Sequence, residues 1–516
     1  MRKPMLHRLV ATLLTLFAVI SIQAFAQDAS QVLRLSVGFN TLKNSVTLSD
    51  DQKKEVARLE NLARAANQAG RYGEAMGHMY HAMAVMRNQP WTPARALGTA
   101  LQLKSDRVIL DPGDVIHLKV TQLFALEEPL AGKLTPTVTI APAKSKDPRA
   151  AKELRRLGEV AGDFTGQPLA IEAALPGLED GDYQLALNLL PAEGEPIIKT
   201  SLIRLARGLV KDQQAIKARA AGLAAGLEKR NQPELLRALA AVEYQAGMID
   251  LANAGQLAIE RQDFRKELSF ASSLLEQIAK GENPLRALRG DFRWAYRSTV
   301  DQQLEPYRVY VPSKYDAAKP APLVVALHGM GGDENSYFTG YDNGVIKREA
   351  EARGYIVVCP KGRGPASMYQ GDAERDVLDV IAAMRRDYKI DEDRIYLTGH
   401  SMGGYGTWSI AIKHPELFAA IAPIAGGGNP KALGQITHVP EIVVHGDKDP
   451  TVPVQRSREM VKAGQELGIK IKYIEVPGGN HTDVAVPAMK DIFDWFDAHK
   501  RQPGEAAKAA AGSTQK

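Results

Sequence analysis

Apolar residues recur at helical spacing in "SDDQKKEVARLENLARAANQAG", where Val56, Leu59, Leu62, Ala63 and Ala66 share one face. Ser49 or Asp50 is placed to cap the start, and Gly70 interrupts the pattern, so a helical hairpin is predicted within a helical region at 27–99. From residue 100 the period shortens to two. "DRVILDPGDVIHLKV", "TPTVTIAPA" and "DGDYQLALNLL" alternate around turn residues, which predicts a small β-sandwich over 100–205. Helical spacing returns over 206–289, and Gly281 and Pro284 mark its end. Beyond 290 short apolar runs ("YRVYV", "LVVAL", "YIVVC", "RIYL", "AIAPI", "EIVVH", "IKYIEV") alternate with amphipathic stretches. One of these stretches sets Val377, Ile381, Met384 and Tyr388 on a single helical face. Several runs are apolar throughout, as strands covered on both sides must be. The pattern predicts an α/β region at 290–500, a mostly parallel sheet with helices on both faces.

The two ends change this picture. "MRKPMLHR" is basic, "LVATLLTLFAVISI" is apolar, and Ala24 and Ala26 form an A-x-A site, so residues 1–26 read as a signal peptide. The apolar run falls short of the roughly 20 residues that span a bilayer. Export to the periplasm or the exterior is therefore expected, with no stable membrane insertion. Residues 501–516 are small, polar and alanine-rich, the composition of a disordered tail. A formal charge of +5 over 516 residues, without a Lys/Arg stripe, argues against nucleic acid as a partner. The single cysteine, Cys359, forms no internal disulfide and reads as a buried hydrophobe.

Candidate chemistry concentrates in "IYLTGHSMGGYGTW". A serine hydroxyl needs a base and must be presented rather than buried. A sharp strand-to-helix turn presents it, and glycines two residues to either side make room for that turn. Gly399-His400-Ser401-Met402-Gly403, after the strand "RIYL" and before a helical pattern, fits such an elbow. The partners expected downstream occur in the required order. "EIVVHGDKDPTVP" offers Asp447 and Asp449, with Asp449 preferred because it stands farther beyond the strand end. "VPGGNHTDV" offers His481 as the base. Upstream, "LVVALHGMGG" leaves a strand into a glycine-rich loop, whose Met330 backbone N–H would join that of Met402 in an oxyanion hole. No Gly-Lys-Ser/Thr follows that loop, so it does not read as a phosphate cradle.

Other candidates receive plainer readings. His328, His400 and His445 each adjoin a motif glycine and read as loop supports. Their spacing suits no metal, and the chemistry needs no cofactor. Trp408 reads as core, whereas Tyr337, Phe338, Tyr341 and Tyr369 fall in loops near strand ends, where they would line a pocket.

The segments "YRVYVPSKYDAAKPAPLVVALHGMGG", "GYIVVCPKGRG", "YLTGHSMGGYGTW", "HGDKDPTVPV" and "GGNH" resemble the α/β-hydrolase superfamily. They look most like its secreted serine esterases, the polyhydroxybutyrate depolymerases, feruloyl esterases and esterase-D-like enzymes, and are related to predicted peptidases of the prolyl-oligopeptidase and dienelactone-hydrolase types. The resemblance covers about residues 300–500 and implies the α/β-hydrolase fold. It also implies carboxylic ester hydrolysis through an acyl-enzyme, with Ser401, Asp449 and His481 as triad and Met330 and Met402 as oxyanion donors. The implied substrate is a small-molecule or polymer-linked ester. A serine peptidase of the prolyl-oligopeptidase type is the alternative, although residues before 290 lack a propeller pattern. A catalytically inactive binding protein is the remaining reading. The regions before 290 leave room for a polysaccharide or protein partner.

Overall fold

The computed structural model describes residues 31–191, 195–364 and 366–501. The signal-peptide stretch 1–26 and nearly all of the tail 501–516 lie outside them. The chain divides into two compact units, one of residues up to 214 with 247–265, the other of 215–246 with 266 onward. The helices Leu209–Lys229, Pro233–Asn253 and Phe264–Ala279 are each divided between the two.

The first unit opens with helices at 31–45, Asp50–Gln68, Tyr72–Met86 and Pro93–Ala100. Ser49 caps the second of these through a capping box with Gln52, and Gly70 follows it at φ 72°. The strands that follow form two sheets. In one, Val115–Gln122 lies between Leu101–Ser105 and Leu169–Ala174; in the other, Gly181–Pro191 lies between Ile197–Leu205 and Lys133–Pro142. Alternate residues of both sheets, among them Leu118, Val120, Ile171, Val138, Leu187 and Ile203, share one apolar cluster. Two-residue alternation thus becomes a two-layer core.

The second unit holds an eight-stranded sheet. Its strands are β1 (Gly290–Arg297), β2 (Leu304–Val311), β3 (Ala321–Leu327), β4 (Ile356–Pro360), β5 (Ile390–His400), β6 (Ala420–Ile424), β7 (Glu441–Gly446) and β8 (Ile471–Val476). They lie in the order β1-β2-β4-β3-β5-β6-β7-β8. The pairs β1–β2 and β2–β4 are antiparallel, and every later pair is parallel. Strands β3, β4, β6 and β7 are buried at every residue, which explains the unbroken apolar sequence of β3, β4 and β6; β7 carries Glu441 and His445 at its ends. One face packs on α1 (Tyr341–Arg353) and α5 (Ala485–Asp497), with Ile346, Ala350, Met489, Ile492, Phe493 and Phe496 in the core. Between them in sequence come α2 (Asp372–Asp387), which contacts β4, α3 (Met402–Lys413), which contacts β3, β5 and β6, and α4 (Gln455–Glu466), beside β7 and β8.

Cys359 and Trp408 are buried, as their sequence context predicts. Tyr337, Phe338 and Tyr369 are also fully buried, and this corrects the expectation that they line a pocket. Tyr337 and Phe338 lie on a short helix, Ser336–Thr339, and join the core beside the sheet, while Tyr369 packs against Gly362 and Gly406. Among the described residues no helix is long and apolar enough to cross a membrane.

Glu441 opens β7 in full burial. Its Oε2 accepts from Trp408 Nε1 at 3.0 Å, and its Oε1 has no partner. Burial pushes its carboxyl up to about 7 from 4.5, and the Trp408 bond only partly opposes that shift. The folded chain therefore holds this proton more tightly than the unfolded chain. Stability falls as pH rises from about 4.5 to about 7 and stays at the lower level above it. Glu441→Gln removes that loss. The variant's melting temperature is expected to gain on wild type between pH 5 and pH 8, by an amount equivalent to at most about 2–3 kcal/mol. A constant difference across that range, in paired thermal melts, would contradict the assignment.

Candidate active site

The strand ends β3, β5, β7 and β8 converge at one edge of the sheet, and each delivers one part of the site. After β5 the chain turns sharply at Ser401, whose φ of 58° and ψ of −117° depart from ordinary L-residue conformations. Glycine is required on both sides because the backbones touch. A Cβ on Gly399 would lie 2.3 Å from the Gly403 carbonyl oxygen, and one on Gly403 would lie 1.9 Å from that of Leu327. The turn thus seats the start of α3 against the end of β3 and leaves Ser401 partly exposed.

His481 lies in the loop after β8. Its Nε2 is 2.9 Å from Ser401 Oγ and its Nδ1 is 2.6 Å from Asp449 Oδ2. A carboxylate only accepts, so Nδ1 carries the proton and the Nε2 lone pair faces the hydroxyl. The Asp449 side chain is fully buried. Its Oδ1 accepts from the N–H groups of Thr451 and Val452 at 2.8 and 2.9 Å, and His445 Nε2 stands 3.2 Å from Oδ2. Burial alone would raise this carboxyl. The bonds from His445, His481 and Val452 N–H outweigh burial and hold it well below the usual carboxylate range.

Asp447, the other acid considered, is used elsewhere: its Oδ1 accepts from Gly478 N–H at 2.7 Å and ties the acid loop to the histidine loop. Met330 follows β3 and Met402 is the first residue of α3. Among the described residues neither backbone N–H has a hydrogen-bond partner. Gly329 approaches the elbow so closely that a Cβ there would lie 3.4 Å from Ser401 Cβ.

The three supporting histidines bond as follows. His328 meets the carbonyls of Gly329 and Lys361, each at 2.8 Å. His445 meets Ser457 Oγ at 2.7 Å and the Val452 carbonyl at 3.0 Å. His400 meets Tyr341 and the His481 carbonyl. Among the described residues no group of three or more His, Cys, Asp or Glu side chains is arranged to hold a metal ion. A cavity of about 750 Å³ in this unit lies against β1 and α2, lined by residues such as Trp294, Arg297 and Arg375. None of Ser401, Asp449 and His481 lines it.

Sequence reasoning missed the group that anchors the loop after β3. Arg293 is buried on β1 and donates from Nε to Glu334 at 2.9 Å, from Nη1 to Glu267 at 2.6 Å and from Nη2 to Asn335 at 2.9 Å. Glu334 and Asn335 follow the glycine-rich loop after one residue, Asp333. The available signal was an arginine inside "DFRWAYR", where a charge with apolar neighbours requires a partner. Removing one member leaves buried charge unpaired, typically at a cost of about 3–5 kcal/mol. Arg293→Met is therefore expected to lower the urea midpoint of this unit, followed by tryptophan fluorescence. An unchanged midpoint would show that the cluster is not under this strain.

Comparisons with known proteins follow the same segment. Residues 349–439 match the prolyl oligopeptidase family. The chain is 32% identical over 239 residues to a bifunctional acetylxylan esterase/xylanase of Neocallimastix patriciarum, covering 40% of this chain and 34% of the relative. It is 27% identical over 186 residues to a probable feruloyl esterase C of Aspergillus terreus, covering 35% and 65%. It is 32% identical over 176 residues to a poly(3-hydroxyalkanoate) depolymerase C of Paucimonas lemoignei, covering 32% and 40%. The chain thus spans about one third to two thirds of the length of these relatives. With this sheet order and elbow the second unit has the α/β-hydrolase fold, and its sequence is similar to feruloyl esterases and to a polyhydroxyalkanoate depolymerase.

Proposed function

We propose that the protein is an exported serine hydrolase that cleaves carboxylic esters through an acyl-enzyme, with residues 290–500 as its catalytic domain. The observation that carries this reading is the unbroken hydrogen-bonded series from Asp449 through His481 to Ser401. As Ser401 Oγ attacks the ester carbonyl, its proton passes to His481 Nε2, and Asp449 stabilises the imidazolium that forms. The carbonyl oxygen becomes an oxyanion that the Met330 and Met402 N–H groups receive. Collapse expels the alcohol, which takes the proton from Nε2. Water, deprotonated by the same imidazole, then releases the acid and restores Ser401. No cofactor enters this scheme. The likeness to a feruloyl esterase, an acetylxylan esterase and a polyester depolymerase favours polymer-linked esters as substrates. Export rests on the leader at 1–26, and the regions before 290 are proposed to serve a polysaccharide or protein partner. The match to the prolyl oligopeptidase family supports a second reading, a serine peptidase using the same triad.

The two readings separate on leaving group. Turnover of p-nitrophenyl acetate, p-nitrophenyl butyrate and methyl ferulate is expected to exceed that of aminoacyl-p-nitroanilides; faster anilide turnover would favour the peptidase. Ser401→Ala is expected to lower kcat on the best ester by about 10⁴-fold or more and to abolish fluorophosphonate labelling. Asp449→Asn is expected to cost about 10⁴-fold in kcat with little change in KM. Retention of near wild-type turnover by Ser401→Ala would remove the triad from the account.

A further inference from the structure

Four residues in succession, Tyr341, Asp342, Asn343 and Gly344, have positive φ values of 41°, 55°, 50° and 80°. A left-handed turn of this length is expensive, at about 1–2 kcal/mol for each residue with a side chain. The surroundings hold it in place. Arg348 Nη1 donates to the Asp342 carbonyl at 2.9 Å, and its Nη2 bonds the Asp342 carboxylate. Gly344 is needed, since a Cβ there would lie 2.6 Å from the Phe338 carbonyl oxygen.

What the turn delivers is the Tyr341 hydroxyl, 2.8 Å from His400 Nδ1. On the other side of the ring, His400 Nε2 lies 2.7 Å from the backbone carbonyl oxygen of His481. That carbonyl can only accept, so the His400 proton is on Nε2. Nδ1 is then an acceptor, and Tyr341 is its donor. Both ring nitrogens are satisfied by the neutral form. Burial, and to a lesser degree the neighbouring His481, lower His400 to about 4 and keep it neutral. The His400 and His481 ring centroids are 4.8 Å apart.

His400 directly precedes Ser401 in the chain, at the end of the rigid strand β5. His481 sits on a loop that Asp447 holds at Gly478 and that Asp483 closes locally by accepting from Asn480 N–H. We propose that His400 and Tyr341 are positioning residues: through His400, the residue beside the nucleophile grips the main chain of the base, and Tyr341 fixes the tautomer that makes the grip. The separation of Ser401 and His481 is then set by one side chain of β5 rather than by the loop alone. The strained turn at 341–344 is retained because it aims the hydroxyl. This rests on the reading of Ser401, Asp449 and His481 as a triad.

The test uses the whole protein and p-nitrophenyl butyrate. His400→Leu removes the donor to the His481 carbonyl, His400→Gln keeps an N–H at similar reach, and Tyr341→Phe removes only the hydroxyl. A misplacement of about 1 Å is able to cost on the order of 10²-fold. His400→Leu is accordingly expected to lower kcat by about that factor with KM within about threefold. His400→Gln should recover at least about tenfold of the loss, and Tyr341→Phe should fall about fivefold in kcat. The downfield proton resonance of His481 Nδ1–H is expected in wild type and in His400→Gln, and to broaden or vanish in His400→Leu and Tyr341→Phe. If His400→Leu fails to fold, Tyr341→Phe decides, since it deletes a single oxygen: reduced kcat with a broadened resonance supports the proposal, and wild-type behaviour overturns it. Equal losses in the Leu and Gln variants also overturn it. A wild-type protein inert to the ester and to fluorophosphonate would sink the triad reading and this one together. An active wild type whose variants behave like it would sink the positioning role alone.

Discussion

The site depends on a contact between two backbones. Gly403 lies so close to the Leu327 carbonyl that a methyl group there would sit at 1.9 Å, well inside any real separation. That approach locks the first turn of α3 onto the end of β3. Two results follow from it. Ser401 is forced to φ 58° and held out from the sheet, and the Met402 N–H comes to open beside the loop that carries Met330. One packing event thereby sets both Ser401 and Met402, the proposed nucleophile and a proposed oxyanion donor. The strain at Ser401 is the local cost, and the buried strands β3, β5 and β6 around it supply the rigidity that sustains it.

Electrostatics complete what the backbone begins. A carboxylate as deeply buried as Asp449 would ordinarily take up a proton. Two N–H groups and two imidazoles on its oxygens keep it charged, and its Oδ2 holds His481 Nδ1 at 2.6 Å. On the other side, Arg293 with Glu334, Glu267 and Asn335 fastens the loop after β3 from beneath. Both arrangements place charged groups out of water, and each is tolerable only because every member has partners. The site is stiff because its supports are mutually dependent.

Much of this was legible in the chain because the signals are local. Unbroken apolar runs marked β3, β4 and β6 as doubly covered strands, and the glycines around Ser401 marked a turn that no bulkier residue fits. Ser401, Asp449 and His481 were picked out by the nucleophile, acid, histidine order that the elbow demands, at strand ends that the hydrophobic pattern located. The misread residues depend on where loops fold back. Tyr337, Phe338 and Tyr369 sit in segments with loop-like composition, and only their tertiary packing buries the rings. Arg293 and Glu334 lie 41 residues apart, and nothing in either neighbourhood names the other. The left-handed turn at 341–344 offered one glycine and two polar residues as clues, too common a combination to announce four positive φ values.

The central claim is that Ser401 is acylated while the carbonyl oxygen of the substrate rests on two main-chain N–H groups. The most direct measurement is a crystal structure of the fluorophosphonate adduct, which mimics the tetrahedral intermediate. The account predicts phosphorus bonded to Ser401 Oγ and its non-bridging oxygen about 3 Å from both Met330 N and Met402 N. His481 Nε2 should stay within hydrogen-bond reach of Ser401 Oγ. An adduct on another residue, or an oxygen turned to solvent away from both N–H groups, would contradict it.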